Sequence, residues 1–493
     1  MNQSISMFLP VAVVVLPALA GLIIFFTGNN RKLRESLSLI AAILSFLLVV
    51  ALYFALGQGG KGSICCPLCL GYGFTFCLRA DWLGLFFAGT TSLLWLVSVP
   101  YFIRYMEIKF PGNENRFFGF LTLSVAAAIG VAMAGNMLTL FALYELLTIF
   151  TYPLVAHTET PVVLKAAKKY LVYLLVGEML LLFAVLSTPA FEQLDAFSKI
   201  GTMSSGIGLK MLFLIFCCYI VGFGIKAAVF PLGDWLPSVS VAPTPVTALL
   251  HAVAVVNVGL FGIMRVILNV FGLKLTRSIR GGTLLVFISC ATIIYGSLQA
   301  LNQNNLKKRL AFSTVEHLSY SILGVSLLNP TAFIGGLVFL ISHAFLKLSL
   351  FLCAGIIDIK TGKTKVSELS GVGRKLPFIS TCFAICSFGL IGMPLTLGFV
   401  GKWYLWRGPM ETGQLSVMAV LIAGSVLCAF YLLYVVYMLF FKQADVDLVC
   451  DLQLNWPVYL PIGVGIFGNL FFGIFPKPLF LLIKPIITCY FGG

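Results

Sequence analysis

Long apolar runs alternate with short polar links along the whole chain. Each run is long enough to cross a hydrocarbon layer of about 30 Å as a helix, which takes roughly 17 to 25 residues. We therefore predict an all-α polytopic membrane protein with about fourteen transmembrane helices. The predicted spans lie near residues 7–27, 37–57, 82–103, 117–135, 137–156, 169–188, 209–230, 244–270, 281–301, 309–327, 331–355, 377–406, 415–440 and 457–480.

The composition supports this interpretation. Hydrophobic residues make up 60% of the chain and charged residues 10%, whereas soluble domains carry about a quarter charged residues. The runs and links leave no segment from which a separate soluble domain could be built. The net charge of +15 therefore bears on membrane topology, and we do not expect nucleic acid as a partner.

Lysine and arginine are unevenly distributed among the links. Odd-numbered links carry 18 of these residues, whereas even-numbered links and the C-terminal tail carry 10. Because cytoplasmic links hold the excess, we predict a multi-pass protein of the inner (cytoplasmic) membrane with both termini outside. The link that carries Lys274, Arg277 and Arg280 is the main exception. The first apolar run follows no basic segment, so we do not expect it to be a cleaved signal.

The cysteines fall into two groups. Those in predicted spans are expected to act as small apolar side chains. Four others follow one another in the second link, on the predicted outer side, where a disulfide can persist: Cys65, Cys66, Cys69 and Cys77. Their spacing fits no usual zinc pattern, so we favour a disulfide or simple packing over a metal site.

Two lysines occur in similar apolar surroundings. The stretch "GFGIKAAVFPLGDW" carries Lys226 and "GFVGKWYLW" carries Lys402, so that G-F-x-x-K appears twice. Pro231 follows the first lysine and Pro394 precedes the second, which is typical of transport sites built from broken helices. A lysine near a helix centre costs roughly 2.5–3.5 kcal/mol on insertion scales. Coincidence is the alternative for the repeat, and Lys402, beside two tryptophans, could instead extend to the membrane interface.

Further titratable groups lie inside predicted spans. Such groups must pair or line hydrated cavities, and acids, lysines and histidines together favour a proton path. The full set is Glu145, Glu178, Lys226, His251, Glu316, His317, His343, Lys347 and Lys402.

Individual members of this set suggest different roles. Glu145 is at mid-span and is a natural ion-pair partner for one of the lysines; a static pair that fixes helix packing is the alternative. His343 and Lys347 stand at i and i+4, on one helix face, where they could pass protons. Glu178 has no obvious partner in the sequence, and a pathway role and a structural pair are equally compatible with it.

The remaining polar positions are less informative. Glu316 and His317 are adjacent, so we expect them to face different surroundings. His251 follows Pro245 in the eighth span, with Asn257 further along it. Arg265, near the end of that span, is expected to be an interfacial anchor.

Several classes of site are not indicated. The chain contains no dinucleotide-binding glycine motif after a strand and no phosphate-binding P-loop, and its predicted inner side contains no C-x-x-C pairs with iron–sulfur spacing. We therefore expect no cofactor, and any energy source is an ion gradient or a partner subunit.

Six stretches are informative when taken together: "FCLRADWLGLFF", "YELLTIFTYPLVAHTETP", "IKAAVFPLGDWLPSVSVAPTPVTALLHA", "NNLKKRLAFSTVEHLSYSILG", "SHAFLKLSLFL" and "PLTLGFVGKWYL". They resemble the antiporter-like membrane subunits of respiratory complex I, membrane-bound hydrogenases and Mrp-type multisubunit cation/proton antiporters. The resemblance covers most of the chain. The lysine in the last stretch makes the chain look most like the D-type member of the Mrp antiporters and its relatives in hydrogenase complexes.

The resemblance implies a fold and a set of roles. The family's fold has two inverted five-helix repeats, helices 4–8 and 9–13, with helices 7 and 12 broken. By position, Glu145 and Lys226 correspond to the family's acid–lysine pair, and Lys402 to its terminal lysine. The family's central hydrophilic axis corresponds to His251, His343 and Lys347.

One departure concerns the centre of that axis. Many relatives have a lysine where this chain has Asn257, and an amide cannot hold a proton near neutral pH. Continuity would then depend on His251, water and Lys347.

The resulting prediction divides the chain into residues 1–116 (helices 1–3), 117–270 (first repeat), 281–440 (second repeat) and 441–493 (helix 14). We expect a subunit that translocates protons, or exchanges them for sodium, within a multisubunit complex in lipid. A non-pumping structural subunit that anchors a redox module with iron–sulfur clusters is the alternative. The same residues serve redox-driven translocases and gradient-driven antiporters, and a catalytic oxidoreductase subunit is disfavoured because no redox motif is present.

Overall fold

The computed structural model describes residues 3–58, 63–69, 75–189, 196–203, 206–442 and 455–492, and no side chains at 3–7 and 63–69. Helices dominate these residues. The longer helices of the first half are α1 (Gln3–Phe25), α2 (Arg31–Gln58), α3 (Trp82–Lys109), α4 (Glu114–Ala132), α5 (Met137–Val155), α6 (Pro161–Leu186) and α7 (Leu209–Lys226). They are followed by α8 (Trp235–Ser238), α9 (Thr244–Ala248), α10 (Val255–Arg265), α11 (Gly272–Ser278), α12 (Gly281–Asn302), α13 (Leu306–Ser326), α14 (Pro330–Thr361), α15 (Val372–Lys375), α16 (Pro377–Ile391), α17 (Leu397–Glu411), α18 (Leu415–Phe440), α19 (Leu460–Ile474) and α20 (Lys477–Phe491).

The multi-pass helical membrane architecture is confirmed. Twelve helical segments of the described chain are long and apolar enough to cross a membrane. Two predicted spans differ from the structure: 377–406 is two helices, α16 and α17, and 457–480 ends with α19 at Ile474 before α20 begins. Leu395, at a φ of 72°, lies in the turn that separates α16 from α17. The two inverted repeats and their residue boundaries stay predictions.

A short hairpin was not predicted. Strands β1 (Ser63–Cys69) and β2 (Thr75–Asp81) pair antiparallel, with Ser63 opposite Asp81. The backbone N–H of Arg79 donates to the Met133 carbonyl at 2.6 Å, which fastens β2 to the turn between α4 and α5. Phe76, Leu78 and Ala80 alternate with more polar residues in β2, but three positions are too short a pattern to distinguish a strand from a polar link between spans. The question of a disulfide or metal at Cys65, Cys66 and Cys69 lies outside the described side chains.

Arg265 is not at an interface, and the prediction of an anchor there is wrong. Its side chain is fully buried, and its two terminal nitrogens donate to the two Asp81 oxygens at 2.7 and 2.8 Å. Nη1 also donates to Asn269 and to the Tyr490 hydroxyl, each at 3.2 Å. This buried, bidentate pair joins β2 to the end of α10 and to α20.

The eighth predicted span is interrupted by two π-helical segments. Leu249–Val253 precedes α10 and Val266–Phe271 follows it. Such wide turns often occur at functional sites, because they leave backbone groups unpaired along the helix. Next to this span, α14 runs through the interior, with the most apolar part of the helix entirely covered by its neighbours.

Candidate functional site

Lys226 is the last residue of α7 and is fully buried. Its Nζ lies 3.2 Å from Glu178 Oε1 on α6. It donates to the Tyr144 carbonyl at 2.9 Å and to Thr148 Oγ1 at 2.8 Å, both on α5. The ammonium also lies 3.3 Å from the centroid of the Tyr144 ring. All three N–H donors of the lysine therefore have an acceptor. We refer to Tyr144, Thr148, Glu178 and Lys226 as the Lys226 cluster.

The acid at this lysine is Glu178, and the prediction of Glu145 as the direct partner is wrong. Thr148 Oγ1 donates to Glu178 Oε1 at 2.5 Å and strengthens the same contact. Glu145 is half-buried one residue from Tyr144, and its carboxyl lies close enough to that of Glu178 to interact with it. The sequence offered no pairing signal for Glu178, because its partner is on another helix.

The helix break after Lys226, where α7 ends, is stabilised by specific contacts. Ala228 adopts a φ of 57°. The Ile225 carbonyl accepts from the Ala228 backbone N–H at 3.0 Å and from the Trp235 indole N–H at 2.7 Å. A Cβ at Gly259 of α10 would lie 2.5 Å from the Ala227 nitrogen. Only glycine allows α10 to approach the break this closely.

Lys347 lies at the centre of the protein on α14. Its Nζ donates to the Leu310 carbonyl at 3.0 Å and makes a short contact with Ser313 Oγ on α13. The carbonyl of the same serine accepts from Nδ1 of His317, one turn later. The neutral His317 ring therefore carries its proton on Nδ1 and presents a lone pair at Nε2. Ser313 thus links a lysine to a histidine on another helix.

Two further histidines adjoin this centre. The rings of His317 and His343 stack with centroids 6.0 Å apart. His343 Nε2 lies 3.3 Å from the His251 carbonyl in the first π-helical segment, and the His251 ring stacks on Phe351 at 4.6 Å. Both ring nitrogens of His251 are buried without a hydrogen-bond partner among the described residues. The structure thus brings the three histidines and Lys347 to one region.

Asn257 lies on α10, one to two turns beyond His251. Its Nδ2 donates to the Ala252 carbonyl, in the π-helical segment, at 2.8 Å. Its Oδ1 accepts no hydrogen bond from the described part of the chain. The amide therefore holds the helix irregularity on one side and leaves an acceptor on the other.

Glu316 and His317 share surroundings, contrary to the prediction that they face different ones. Tyr431 on α18 donates to Glu316 Oε2 at 2.6 Å, and its hydroxyl lies 3.2 Å from Cys428 Sγ. That sulfur lies 3.6 Å from His317 Nε2. Two adjacent residues of α13 therefore contact neighbouring side chains of α18. We refer to Glu316, His317, Cys428 and Tyr431 as the α13–α18 cluster.

Sequence reasoning missed four residues of these contacts. The hydroxyls of Thr148, Ser313 and Tyr431 and the thiol of Cys428 connect titratable groups to one another. Ser313 is four residues before His317, and Cys428 is three before Tyr431. Each pair shares a helix face, which was the available signal.

Lys402 on α17 is buried, so the alternative in which it extends to the interface is not what the structure has. Its Nζ donates to the carbonyl of Ile391, the last residue of α16, at 2.9 Å. The ammonium lies 5.1 Å from the Tyr320 ring centroid and 5.8 Å from that of Phe339. No carboxylate of the described residues lies within ion-pair distance of it. A carbonyl freed by the helix break and two aromatic faces hold this lysine.

The comparison with protein families decides the classification. Residues 134–428, more than half of the chain, match the family described as "NADH:quinone oxidoreductase/Mrp antiporter, TM". The chain belongs to this family. The resemblance stated from the sequence motifs is thereby confirmed, while the narrower likeness to the D-type Mrp member stays a prediction.

Individual members of the family match over most of the chain. NADH-quinone oxidoreductase subunit N of Desulforudis audaxviator is 29% identical over 349 residues, which cover 69% of this chain and 68% of the relative. Across the similar curated proteins the match spans 55 to 76% of their own length.

The fold is shared with solved membrane complexes. One is the Mrp complex from Dietzia sp. DQ12-45-1b, with a TM-score of 0.86 and 19% identity, covering 99% of this chain and 98% of that chain. Another is the archaeal membrane-bound sulfane sulfur reductase, with a TM-score of 0.84 and 20% identity, covering 98% and 97%. By its family, the chain is an antiporter-like membrane subunit of the NADH:quinone oxidoreductase and Mrp type, and these structures show that the fold is shared.

Proposed function

We propose that this subunit translocates protons across the membrane as part of a larger membrane complex. The observation that carries the proposal is a series of buried titratable side chains, most of which contact a hydroxyl, thiol or carbonyl on a neighbouring helix. Two lysines are buried at helix breaks and one at the centre of the protein. Burying these charges in the membrane costs free energy, and charged residues at such positions usually mark an ion pathway.

The first half of the proposed path is the Lys226 cluster. Glu178 Oε2 is buried and accepts no hydrogen bond in the described residues, and Glu145 lies beside the same carboxyl. Two neighbouring carboxyls favour a shared proton, because both cannot be charged cheaply at short distance. We assign proton uptake to this acid pair, with Lys226 responding to the charge of Glu178.

The second half runs from the central histidines to Lys402. Lys347, Ser313 and His317 are joined by hydrogen bonds, and the α13–α18 cluster continues from His317 to Glu316. Lys402 and Lys347 both act electrostatically on Glu316. We assign the transfer toward the outlet to these groups, with Lys402 as the terminal lysine.

Water is required between the halves. Buried polar atoms without a protein partner are usually stabilised by ordered water. Such atoms occur where the path needs continuity, at His251 Nδ1 and Nε2, His343 Nδ1 and Asn257 Oδ1. Asn257 can orient water although it cannot carry the proton itself. Sodium exchanged for protons is a second possibility for the ion, and a sodium-dependent assay distinguishes it.

We propose other membrane subunits and lipid as the partners. The solved structures with this fold are an Mrp complex and a respiratory membrane complex, and many large apolar side chains of α1, α2, α6 and α18 are exposed. Such faces are suited to lipid or to neighbouring apolar helices. A peripheral redox module is a further possible partner, and in that case electron transfer would drive ion translocation by this subunit.

The deciding experiment replaces Lys226 by alanine in the assembled complex, reconstituted in vesicles, and measures proton movement with a pH-sensitive dye. We expect transport to fall at least about tenfold, since the lysine responds to the charge of Glu178. Lys210→Ala is the matched control, because Lys210 is exposed at the other end of the same helix. Unchanged transport in Lys226→Ala with normal assembly would contradict the proposal.

A non-pumping structural role is the second candidate. The observation in its favour is that Lys226 already has three acceptors, as in a static ion pair. In that case Lys226→Ala weakens assembly or stability without a separate loss of transport per assembled complex. Transport normalised to assembled complex therefore distinguishes the two candidates.

A further inference from the structure

We infer that the α13–α18 cluster is a binding site for a borderline-soft divalent metal ion of the zinc class. Glu316, His317 and Cys428 each offer one ligand atom, and these atoms lie within 4.8 Å of one another. This is the one such group of three or more among the residues the structure describes. All three side chains are fully buried.

The sulfur and nitrogen positions fit one tetrahedral ion. Zinc binds thiolate at about 2.3 Å and imidazole at about 2.0–2.1 Å, which places two such ligands about 3.5 Å apart at a tetrahedral angle. Cys428 Sγ and His317 Nε2 are 3.6 Å apart. An ion between them needs little rearrangement of either side chain.

The remaining nitrogen of His317 is already oriented as in metal sites. Its Nδ1 donates to the Ser313 carbonyl, so Nε2 carries the free lone pair. Histidine ligands usually donate their other ring N–H to a backbone carbonyl or a carboxylate, which fixes the ring and its tautomer. The tautomer that a metal requires is therefore built into α13.

Glu316 offers a free oxygen beside the same position. Oε2 accepts the Tyr431 hydroxyl at 2.6 Å, whereas Oε1 is buried with no hydrogen bond among the described residues. The nearby Ser297 hydroxyl donates to the Ile293 carbonyl at 2.7 Å instead. Oε1 can thus bind an ion while Tyr431 holds the carboxylate, leaving the fourth position open.

The charges balance in this low-dielectric location. A Cys428 thiolate, a Glu316 carboxylate and a neutral His317 ring compensate the two charges of the ion, which an apolar interior requires. On binding, the thiol releases one proton and forms the metal–sulfur bond, with no oxidation or reduction. The facing cations are Lys347 and Lys402, and the neutral complex adds no charge to theirs. Nitrogen, sulfur and carboxylate donors together favour zinc or cadmium over calcium or magnesium.

Metal occupancy would interrupt the proposed proton path, because His317 and Glu316 would be held by the ion. This consequence rests on the proposed function, whereas the binding itself does not. Binding is therefore measured without a gradient, so that a failure of the transport proposal leaves the result interpretable.

The test uses the purified complex that contains the full chain. It is equilibrated with zinc sulfate, passed over a desalting column and analysed for zinc per chain by mass spectrometry of the elements. Parallel samples with cadmium are examined for the ultraviolet absorption of a cadmium–thiolate bond. Wild type is compared with Cys428→Ser, His317→Gln and the control Cys386→Ser, which removes another buried thiol outside the cluster.

We expect wild type and Cys386→Ser to hold one ion per chain more than Cys428→Ser and His317→Gln, whose affinity falls at least about tenfold. The thiolate absorption should be absent from Cys428→Ser at every cadmium concentration, whereas in His317→Gln it should reappear when the free cadmium concentration is raised at least about tenfold. If Cys428→Ser fails to assemble, His317→Gln and Tyr431→Phe provide the same comparison. Equal zinc content in all variants, or a wild-type cadmium complex without thiolate absorption, would overturn the inference.

Discussion

The two lysines at the helix breaks are stabilised in different ways. Lys226 has an ion pair with Glu178 at 3.2 Å and two further oxygen acceptors. Lys402 has one carbonyl, that of Ile391, and the faces of two aromatic rings. The same G-F-x-x-K sequence therefore leads to an ion-paired charge in one half and to a charge held by backbone and aromatic rings in the other.

This difference determines how much stability a mutation at each lysine site removes. An ion pair buried in an apolar interior leaves an uncompensated charge when one partner is removed, which is strongly destabilising. Lys402 has no acid partner among the described residues, so no mutation of an acid can leave it uncompensated in this way. We therefore expect stability to be sensitive to mutation at the first site, and transport to be sensitive at both.

The largest effect is expected for Glu178→Ala. It leaves Lys226 buried without its carboxylate and should lower the free energy of unfolding by about 3–5 kcal/mol. Reversible unfolding in mixed micelles measures this loss. The matched control is the double variant Glu178→Leu with Lys226→Met, which removes both charges and should regain most of the lost stability. A double variant as unstable as the single one would show that the pair is not what Glu178 provides.

The second prediction concerns the pH dependence of the free energy of unfolding, and it depends on His157 in the first half of the chain. His157, just beyond the end of α5, packs against Phe110 and Phe117. Burial, assisted by the charge of Arg116, lowers its pKa from 6.5 to about 4. On acidification the unfolded chain therefore binds the proton first. Its contribution is complete above the unfolded pKa of about 6.5 and is lost as the pH falls toward about 4.

The expected loss over that range is roughly 1–3 kcal/mol, after allowance for solvent screening. Unfolding of wild type and His157→Gln is compared at neutral pH and near pH 4.5. Wild type should lose more stability than the variant on acidification. An identical pH response of the two proteins would refute the assignment to His157.

The third prediction compares the glycines at the two breaks. A Cβ at Gly259 would meet the backbone nitrogen of Ala227 at 2.5 Å, whereas one at Gly392 would meet the flexible Lys402 side chain at 2.9 Å. Gly392 also has a φ of +90°, which favours glycine. Each alanine variant should cost about 1–3 kcal/mol. Gly259→Ala should shift the backbone beside Lys226, and Gly392→Ala should displace Lys402.

Measurements of proton transport distinguish displacement of the two lysines from a general loss of stability. Each variant is assayed for proton movement per assembled complex, with Gly413→Ala as a control for an exposed glycine of positive φ with no atoms near its Cβ position. Stability lost equally in Gly413→Ala and Gly392→Ala would attribute the cost to φ alone. Transport should remain normal in Gly413→Ala and decline in the other two.

The smallest stability effect is expected for Lys402→Met. The variant removes one hydrogen bond to a carbonyl, but it also removes a buried charge, so the free energy of unfolding should change by less than about 1 kcal/mol. Proton transport should nevertheless fall at least about tenfold if Lys402 is the terminal group. A large loss of stability would reveal a partner for Lys402 and weaken the contrast with Lys226.

Much of the architecture was predictable because apolar length and lysine position are local properties. The multi-pass helical fold followed from the runs, and the membrane-buried position of the two G-F-x-x-K lysines followed from their surroundings. The hairpin was missed, since the alternation in β2 is limited to Phe76, Leu78 and Ala80 and the strand is held by contacts with the turn after α4. Arg265 was misassigned because a charge near a span end usually reaches the interface, whereas here Asp81 on a distant strand accepts it.

By itself, the sequence determined which groups are charged inside the membrane and where the helices break, because both depend on residue type and local order. Only the tertiary structure decided which groups meet. Glu178 rather than Glu145 reached Lys226, and Cys428 and Tyr431 joined His317 and Glu316, because these contacts cross from one helix to another. Such pairings depend on how each helix is rotated and how helices cross. Hydrophobic periodicity gives no information about either when almost every face of a helix is apolar.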